Sequence, residues 1–188
     1  MKEHVLVGGI TAINLLGMGQ YLGVSNKATI HLYSSGKAPT WLNKPLPDVA
    51  FVWHGTKRLW SPELSQNEKI ATQHKWREDL PSLRLSAVEK AYLEVLMDVP
   101  EKTDFEHVDV IMQGLTNLSP RKIAILLNDC KNIKVKRLFF WFAERQNYPW
   151  FKKVSHDDYD LGSGKRCLIK GGKLVHKYQI TAPEHMHG

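Results

Sequence analysis

The sequence predicts an α/β fold of the α+β kind: a mixed β-sheet with a helical cluster in the second half. Three observations carry this. Short apolar runs with strand-like period occupy the first 60 residues, apolar stripes at helical spacing follow well-formed caps over 86–148, and strand-like segments close the chain over 160–182. Strands, then helices, then strands pack as one layered α+β unit. The chain of 188 residues, 43% hydrophobic and 24% charged, suits a single domain over 1–188, with 1–85 mainly strands and loops.

The elements follow in order. "HVLVGG" (4–9) reads as a buried strand ending in glycines, and "ITAINLLG" (10–17) as a short helix stopped by Gly17 and Gly19. "ATIHLYS" (28–34) alternates Ile30, Leu32 and Ser34 against Thr29, His31 and Tyr33, the period of a strand. Three prolines make 37–48 a loop. "VAFVWHG" and "KRLW" (49–60) predict two short strands turning at Gly55-Thr56, and the polar stretch 61–81 predicts irregular chain.

Punctuation marks the helices. Ser86 with Glu89, and Thr103 with Glu106, have the spacing of capping boxes; Ser119-Pro120 supplies an N-cap and a proline at the first helical position. Behind them run three stripes: Val88, Ala91, Tyr92 and Val95; Val108, Ile111, Met112 and Leu115; Ile123, Leu126, Leu127 and Cys130. "KRCLIKGGKLVHKYQI" predicts two strands joined at Gly171-Gly172.

Several function classes are excluded or weakened. No run of about 18 apolar residues exists, so no membrane-spanning helix is expected. Glu3, His4 and the glycines of the first 19 residues do not make a signal peptide. Cys130 and Cys167 are too few for a disulfide framework and read as reduced thiols of a cytoplasmic protein.

"DLGSGKR" (160–166) invites a phosphate-loop reading, but Arg166 stands where a P-loop needs Ser or Thr, and Tyr159 stands where it needs Gly. A nucleotidyltransferase places its metal-binding D-x-D after Gly-Ser; here Asp158 and Asp160 come before Gly162-Ser163. Asp157, Asp158 or Asp160 with Lys165 offers only a weak nuclease pattern. H-E-x-x-H and G-x-S-x-G are absent, and the C-terminal H-x-H of His185 and His187 reads as surface. No catalytic residue, metal site or cofactor is expected.

The formal charge of +7 favours anionic partners without choosing among them. The densest chemistry is "KNIKVKRLFFWFAERQNYPWFKK" (131–153). At 100° per residue, Val135, Leu138, Phe139 and Phe142 face a core, while Lys134, Arg137, Trp141 and Arg145 share a neighbouring side. A second cluster, Trp150 to Lys153, follows Pro149. Arginine beside an aromatic suits phosphate or base contacts, and equally a protein hot spot or a solvated helix face with a half-buried tryptophan.

Four segments, taken in order, resemble a known family. "VGGITAINLLGMGQYL", "LSAVEKAYLEVL", "MQGLTNLSPRKIAILLNDCKNIKVKRLFFWFAER" and "DLGSGKRCLIKGGKLVHKYQI" are similar to the C-terminal region of the AbiEi antitoxins of bacterial type IV toxin–antitoxin systems. The resemblance implies a non-enzymatic antitoxin that neutralises an AbiEii-type nucleotidyltransferase toxin in phage defence by abortive infection. It also implies a transcriptional regulator, with promoter DNA or the toxin's RNA or nucleotide substrate as further partners and no membrane. The winged helix-turn-helix that precedes this region in the family is absent from this chain, so DNA binding at the promoter is expected of a longer form. Ala87-Val88-Glu89-Lys90 stands where the family often has Ser-Pro-Glu-Arg. By position, a basic partner-binding face is expected at Lys134, Lys136, Arg137, Trp141, Arg145, Lys152, Lys153, Lys165 and Arg166.

Overall fold

The structure is a computed structural model that describes residues 5–19, 27–44, 46–75 and 78–187. Its elements are β1 (Leu6–Val7), α1 (Gly9–Leu15), β2 (Ala28–Ser34), β3 (Val49–Gly55), β4 (Ala71–His74) and β5 (Leu83–Ser86). Then come α2 (Val88–Met97), α3 (Phe105–Gly114), α4 (Pro120–Asp129), α5 (Ile133–Gln146), β6 (Lys173–Val175) and β7 (Ile180–Ala182). The mixed-sheet α+β expectation holds.

Five strands form one sheet in the order β3-β2-β1-β5-β4. Pairings β2–β3 and β1–β5 are parallel; β1–β2 and β4–β5 are antiparallel. A separate antiparallel ribbon, β6–β7, sits at the C-terminal end of the chain. The alternating run 28–34 is strand over its full predicted length. The first strand is shorter than predicted, at Leu6–Val7, and its predicted start at His4 lies outside the described residues.

Four local expectations are corrected. "KRLW" is no strand: the amides of Leu59 and Trp60 both donate to the Thr56 carbonyl, at 2.9 and 2.8 Å, curling the chain so that both side chains enter the core. The polar stretch 61–81 is more ordered than its composition suggests, holding two 3₁₀ turns (Glu63–Gln66, Glu68–Ile70) and β4. β5 went unforeseen because four residues give too little periodicity to read. Finally, no hairpin turns at Gly171-Gly172: residue 166 makes only an isolated bridge to Ile180, and the hairpin is β6–β7, turning over 176–179.

Two caps also move. Ser86 belongs to β5, and Glu89 reaches away to accept from the Ser119 amide at 2.9 Å, so no capping box opens α2. Asp104, not Thr103, caps α3, accepting from the His107 amide at 2.7 Å. Ser119 and Pro120 open α4 as expected, and Asn132 caps α5 by accepting from the Val135 amide at 3.1 Å.

All three predicted stripes face inward, and Ala91, Tyr92, Val108, Met112, Ile123 and Leu126 are fully buried. α5 differs in kind, because every residue from Val135 to Ala143 is buried. A helix enclosed all round is a core helix, whatever the polarity of its individual side chains. Phe140 touches Phe151, His156, Tyr159 and Tyr178 on one flank, while Phe142 and Trp141 meet Phe105 of α3 on another. Burial of each such ring stabilises the fold by about 1.5–3 kcal/mol.

Candidate partner-binding surface

The "DLGSGKR" loop is a turn built on its own backbone and clamped from beneath. Asp160 Oδ1 accepts from the Gly162 amide at 2.7 Å, closing an Asx-type turn. Gly162 and Gly164 adopt φ of 64° and 75°, the left-handed region that glycine enters without a Cβ penalty. Arg137 of α5 then donates Nε to the Leu161 carbonyl at 2.7 Å, and Nη1 to the carbonyls of Gly164 and Gln179 at 2.7 and 3.1 Å. The Arg166 amide donates to Gln179 and its carbonyl accepts from Thr181, at 2.8 and 3.0 Å, tying the loop to β7. With the backbone fixed on its inner side, the side chains of Lys165 and Arg166 are exposed.

Lys152 and Lys153 form a second exposed pair, on the 3₁₀ turn Phe151–Lys153. That turn is anchored by Trp150, which is 5% exposed and donates its indole N–H to the Leu115 carbonyl at 2.9 Å.

The other five expected residues are not on an open face. Arg137 is 2%, Trp141 6% and Lys136 7% exposed. Lys134 donates its ammonium to the carbonyls of Met97 and Val99 at 2.9 and 2.6 Å, capping the end of α2. Burial pulls its pKa below the usual lysine range, while Glu101 and Asp98 oppose that shift. Arg145 pairs with Asp109 at 3.1 Å, donates to the Met186 carbonyl and lies 5.2 Å above the Trp141 ring. Helical spacing placed these residues correctly around α5. It could not show that the end of α2, helix α3, the 160s loop and the chain near Met186 would cover that side.

Two of the acidic residues near the loop have a partner in the fold. Asp160 holds the turn, and Asp157 lies 3.3 Å from the His156 ring nitrogen. Among the described residues no group of three or more His, Cys, Asp or Glu side chains converges as a metal set.

Two clusters escaped sequence reasoning. In the first, Glu94 is fully buried: it accepts from the Gly9 amide at 2.9 Å and from the Ser86 hydroxyl at 3.2 Å, and pairs with the ammonium of Lys90 one turn earlier. The i,i+4 spacing of Lys90 and Glu94 was visible, but such pairs are usually solvated.

The second is a ring stack across β2 and β3. Tyr33 stands opposite His54 in the parallel register, with ring centroids 4.4 Å apart and planes within 7°. His31 Nδ1 lies 2.8 Å from His54 Nε2. Burial lowers the pKa of both imidazoles from the usual 6.5, and their mutual repulsion adds to the shift at His31. The stack borders a cleft of about 480 Å³ lined by Tyr33, Trp53, His54, Arg58, Glu94 and Asp98 among others. This grouping depends on strand register, which the sequence does not display.

Comparison with known proteins places these features in context. The described fold is similar to the crystal structure of the RV2827C protein from Mycobacterium tuberculosis, with a TM-score of 0.51 and 13% sequence identity. The match covers 95% of this chain and 62% of that one, so the present chain spans under two thirds of its neighbour's length. At that identity the likeness concerns the fold alone. No curated protein matches the sequence. A family model described as "Transcriptional regulator, AbiEi antitoxin, Type IV TA system" matches residues 26–183.

Proposed function

We propose, from the premise that this chain belongs to the AbiEi antitoxin family of type IV toxin–antitoxin systems, that it neutralises a companion AbiEii-type nucleotidyltransferase toxin in the cytoplasm. The observation that carries this reading is the family match over 26–183, which takes in strands β2 to β5 of the mixed sheet, the helices from α2 to α5, and the Arg137-clamped loop. The protein acts by holding a partner and performs no bond-breaking step of its own. Transcriptional regulation of its own operon is the further role that the family's description suggests.

The contact surface is the exposed pair Lys165-Arg166 together with Lys152 and Lys153. Arg137 positions the Lys165-Arg166 tips, while Lys134, Lys136, Trp141 and Arg145 are enclosed in the fold and are not part of the contact surface. A clamped backbone with free cationic tips loses little conformational entropy on binding, which favours recognition of an anionic or phosphate-bearing partner. Among the described residues, no helix is long and apolar enough to cross a membrane, so no membrane partner is invoked.

Co-expression with the cognate toxin tests the proposal. Growth should be restored by this chain and lost with the quadruple charge reversal K152E/K153E/K165E/R166E, while both proteins remain folded. Continued growth arrest in the presence of folded wild-type protein would reject the antitoxin role.

The net charge of +7 favours one second reading, a nucleic-acid-binding module that acts without an antitoxin role. Four cations neutralising four phosphates would give a log–log salt slope of about −3 to −4. Absence of binding at low salt would remove that reading and leave the first untouched.

A further inference from the structure

The ring stack of β2 and β3 is not used by the partner surface, and its geometry has a chemistry of its own. Two imidazole nitrogens, His31 Nδ1 and His54 Nε2, face one another at 2.8 Å. The backbone fixes their approach: β2 and β3 pair in parallel register from Ala28–Val49 to Ser34–Gly55, and Tyr33 stacks on His54 from the other side. Both rings are half-buried, and the His54 ring lines the open cleft.

We propose that His31 and His54 form a chelating pair for a divalent transition-metal ion of the zinc, nickel or copper class, bound beside the cleft, with water completing its coordination. Neutral imidazole is the ligating form, and the 2.8 Å approach of the two ring nitrogens requires that at least one of them be unprotonated to accept. Imidazole donors select these ions over magnesium or calcium, which prefer oxygen. With metal–nitrogen bonds of about 2.0–2.1 Å at a tetrahedral angle, two ligating nitrogens sit about 3.3 Å apart. The pair must therefore open by roughly half an ångström, within reach of a small side-chain torsion. Charge also favours occupation: the Asp98 carboxylate acts on both rings, and Glu94 on His54, in the sense that stabilises a cation, with Lys102 opposing them.

The proton balance is defined. In the metal-free pair one ring nitrogen donates to the other, so a single proton lies between them. On coordination that proton moves to the second nitrogen of its own ring, leaving two neutral imidazoles, each with one N–H, and no net proton is released. Metal binding is thus a tautomer switch in one ring.

The decisive experiment titrates zinc chloride into the full-length, nitrogen-15-labelled chain carrying H185A, H187A and C167S, which removes the C-terminal H-x-H and the exposed thiol as rival ligands. Imidazole nitrogen resonances are followed throughout. The expected result is saturable binding at one equivalent, with shifts at one nitrogen each of His31 and His54 and a tautomer change in one of the two rings. In parallel, H31N and H54Q should each abolish the saturable phase. Zinc that leaves both resonances in place, binding that moves other histidines instead, or no saturable binding at all would overturn the proposal. Because the resonance readout uses the native pair, a variant that fails to fold does not protect the idea.

Discussion

The guanidinium of Arg137 donates to the carbonyl oxygen of Gly164 at 2.7 Å, joining the centre of the buried helix α5 to a surface loop 27 residues further along the chain. The same side chain reaches Leu161 and Gln179, so one cation organises three backbone carbonyls from the loop and the turn before β7. The conformation of the loop and the stability of the fold therefore meet in one residue.

Arg137→Ala should destabilise the protein by about 2–4 kcal/mol, because charge-assisted hydrogen bonds to buried acceptors are lost and those acceptors stay dry. Arg137→Lys should recover only part, since an ammonium cannot reproduce the planar fork. Denaturant unfolding monitored by circular dichroism measures both. An Arg137→Ala loss below about 0.5 kcal/mol, the range of an ordinary surface substitution, would show that the loop is held by other means.

The exposed cations should behave in the opposite way. K165E/R166E is expected to change stability by no more than about 0.5 kcal/mol, yet to weaken toxin neutralisation or anion binding. Paired unfolding and growth-rescue assays separate the two effects. A double variant that unfolds would mean the tips are structural after all.

Gly162 and Gly164 share a positive φ but not the same surroundings. A Cβ on Gly162 would lie 3.2 Å from Ile133 Cγ2, whereas one on Gly164 would meet nothing within 4 Å. Gly164→Ala should therefore cost about 1 kcal/mol of backbone strain, and Gly162→Ala more, with crowding added. Thermal melts of the two variants rank them, and equal losses would contradict the crowding argument.

The buried Lys90–Glu94 pair gives a test by double-mutant cycle. Lys90→Met alone should cost about 3–5 kcal/mol, because Glu94 is left charged and unpaired in the core. Lys90→Met with Glu94→Leu should cost less than the sum of the single changes, although the Gly9 amide and the Ser86 hydroxyl then lose their acceptor. Additive losses would show that the two charges do not interact.

The two thiols should differ sharply in reactivity. Burial pushes the Cys130 thiol up to about 11, while Cys167 is exposed. Since the thiolate is the nucleophile, a maleimide at pH 7 should label Cys167 and spare Cys130 in the folded protein. The raised folded pKa also sets a sign. Protonated Cys130 stabilises the fold below about 9, and that contribution is lost as pH rises towards 11. Mass spectrometry of labelled peptides checks the first point, and stability measured against pH in wild type and Cys130→Ala checks the second.

How much of this was legible follows from the range of each signal. The strand 28–34, the inward stripes of α2, α3 and α4, and the Ser119-Pro120 cap are local, and the structure has them where spacing put them. Asp104 displaced Thr103 as a cap because both satisfy the same short-range rule and only the folded chain chooses between them. "KRLW" and Gly171-Gly172 were misassigned for a related reason: a short apolar run or a glycine pair fits several backbone paths, and tertiary contacts select one.

Amino-acid order alone determined the α+β class, the helix faces and the four ordered segments that mark the AbiEi family, because periodicity, capping and motif order are written along the chain. Tertiary structure alone decided which cations point outward. Helical spacing gives the direction of Lys134, Arg137 and Arg145 from their own backbone, but exposure depends on what packs there from elsewhere. Desolvating a charge is so costly that Lys134, Arg137 and Arg145, enclosed by other segments, are held by carbonyls or a carboxylate, while Lys152, Lys153, Lys165 and Arg166 remain in water.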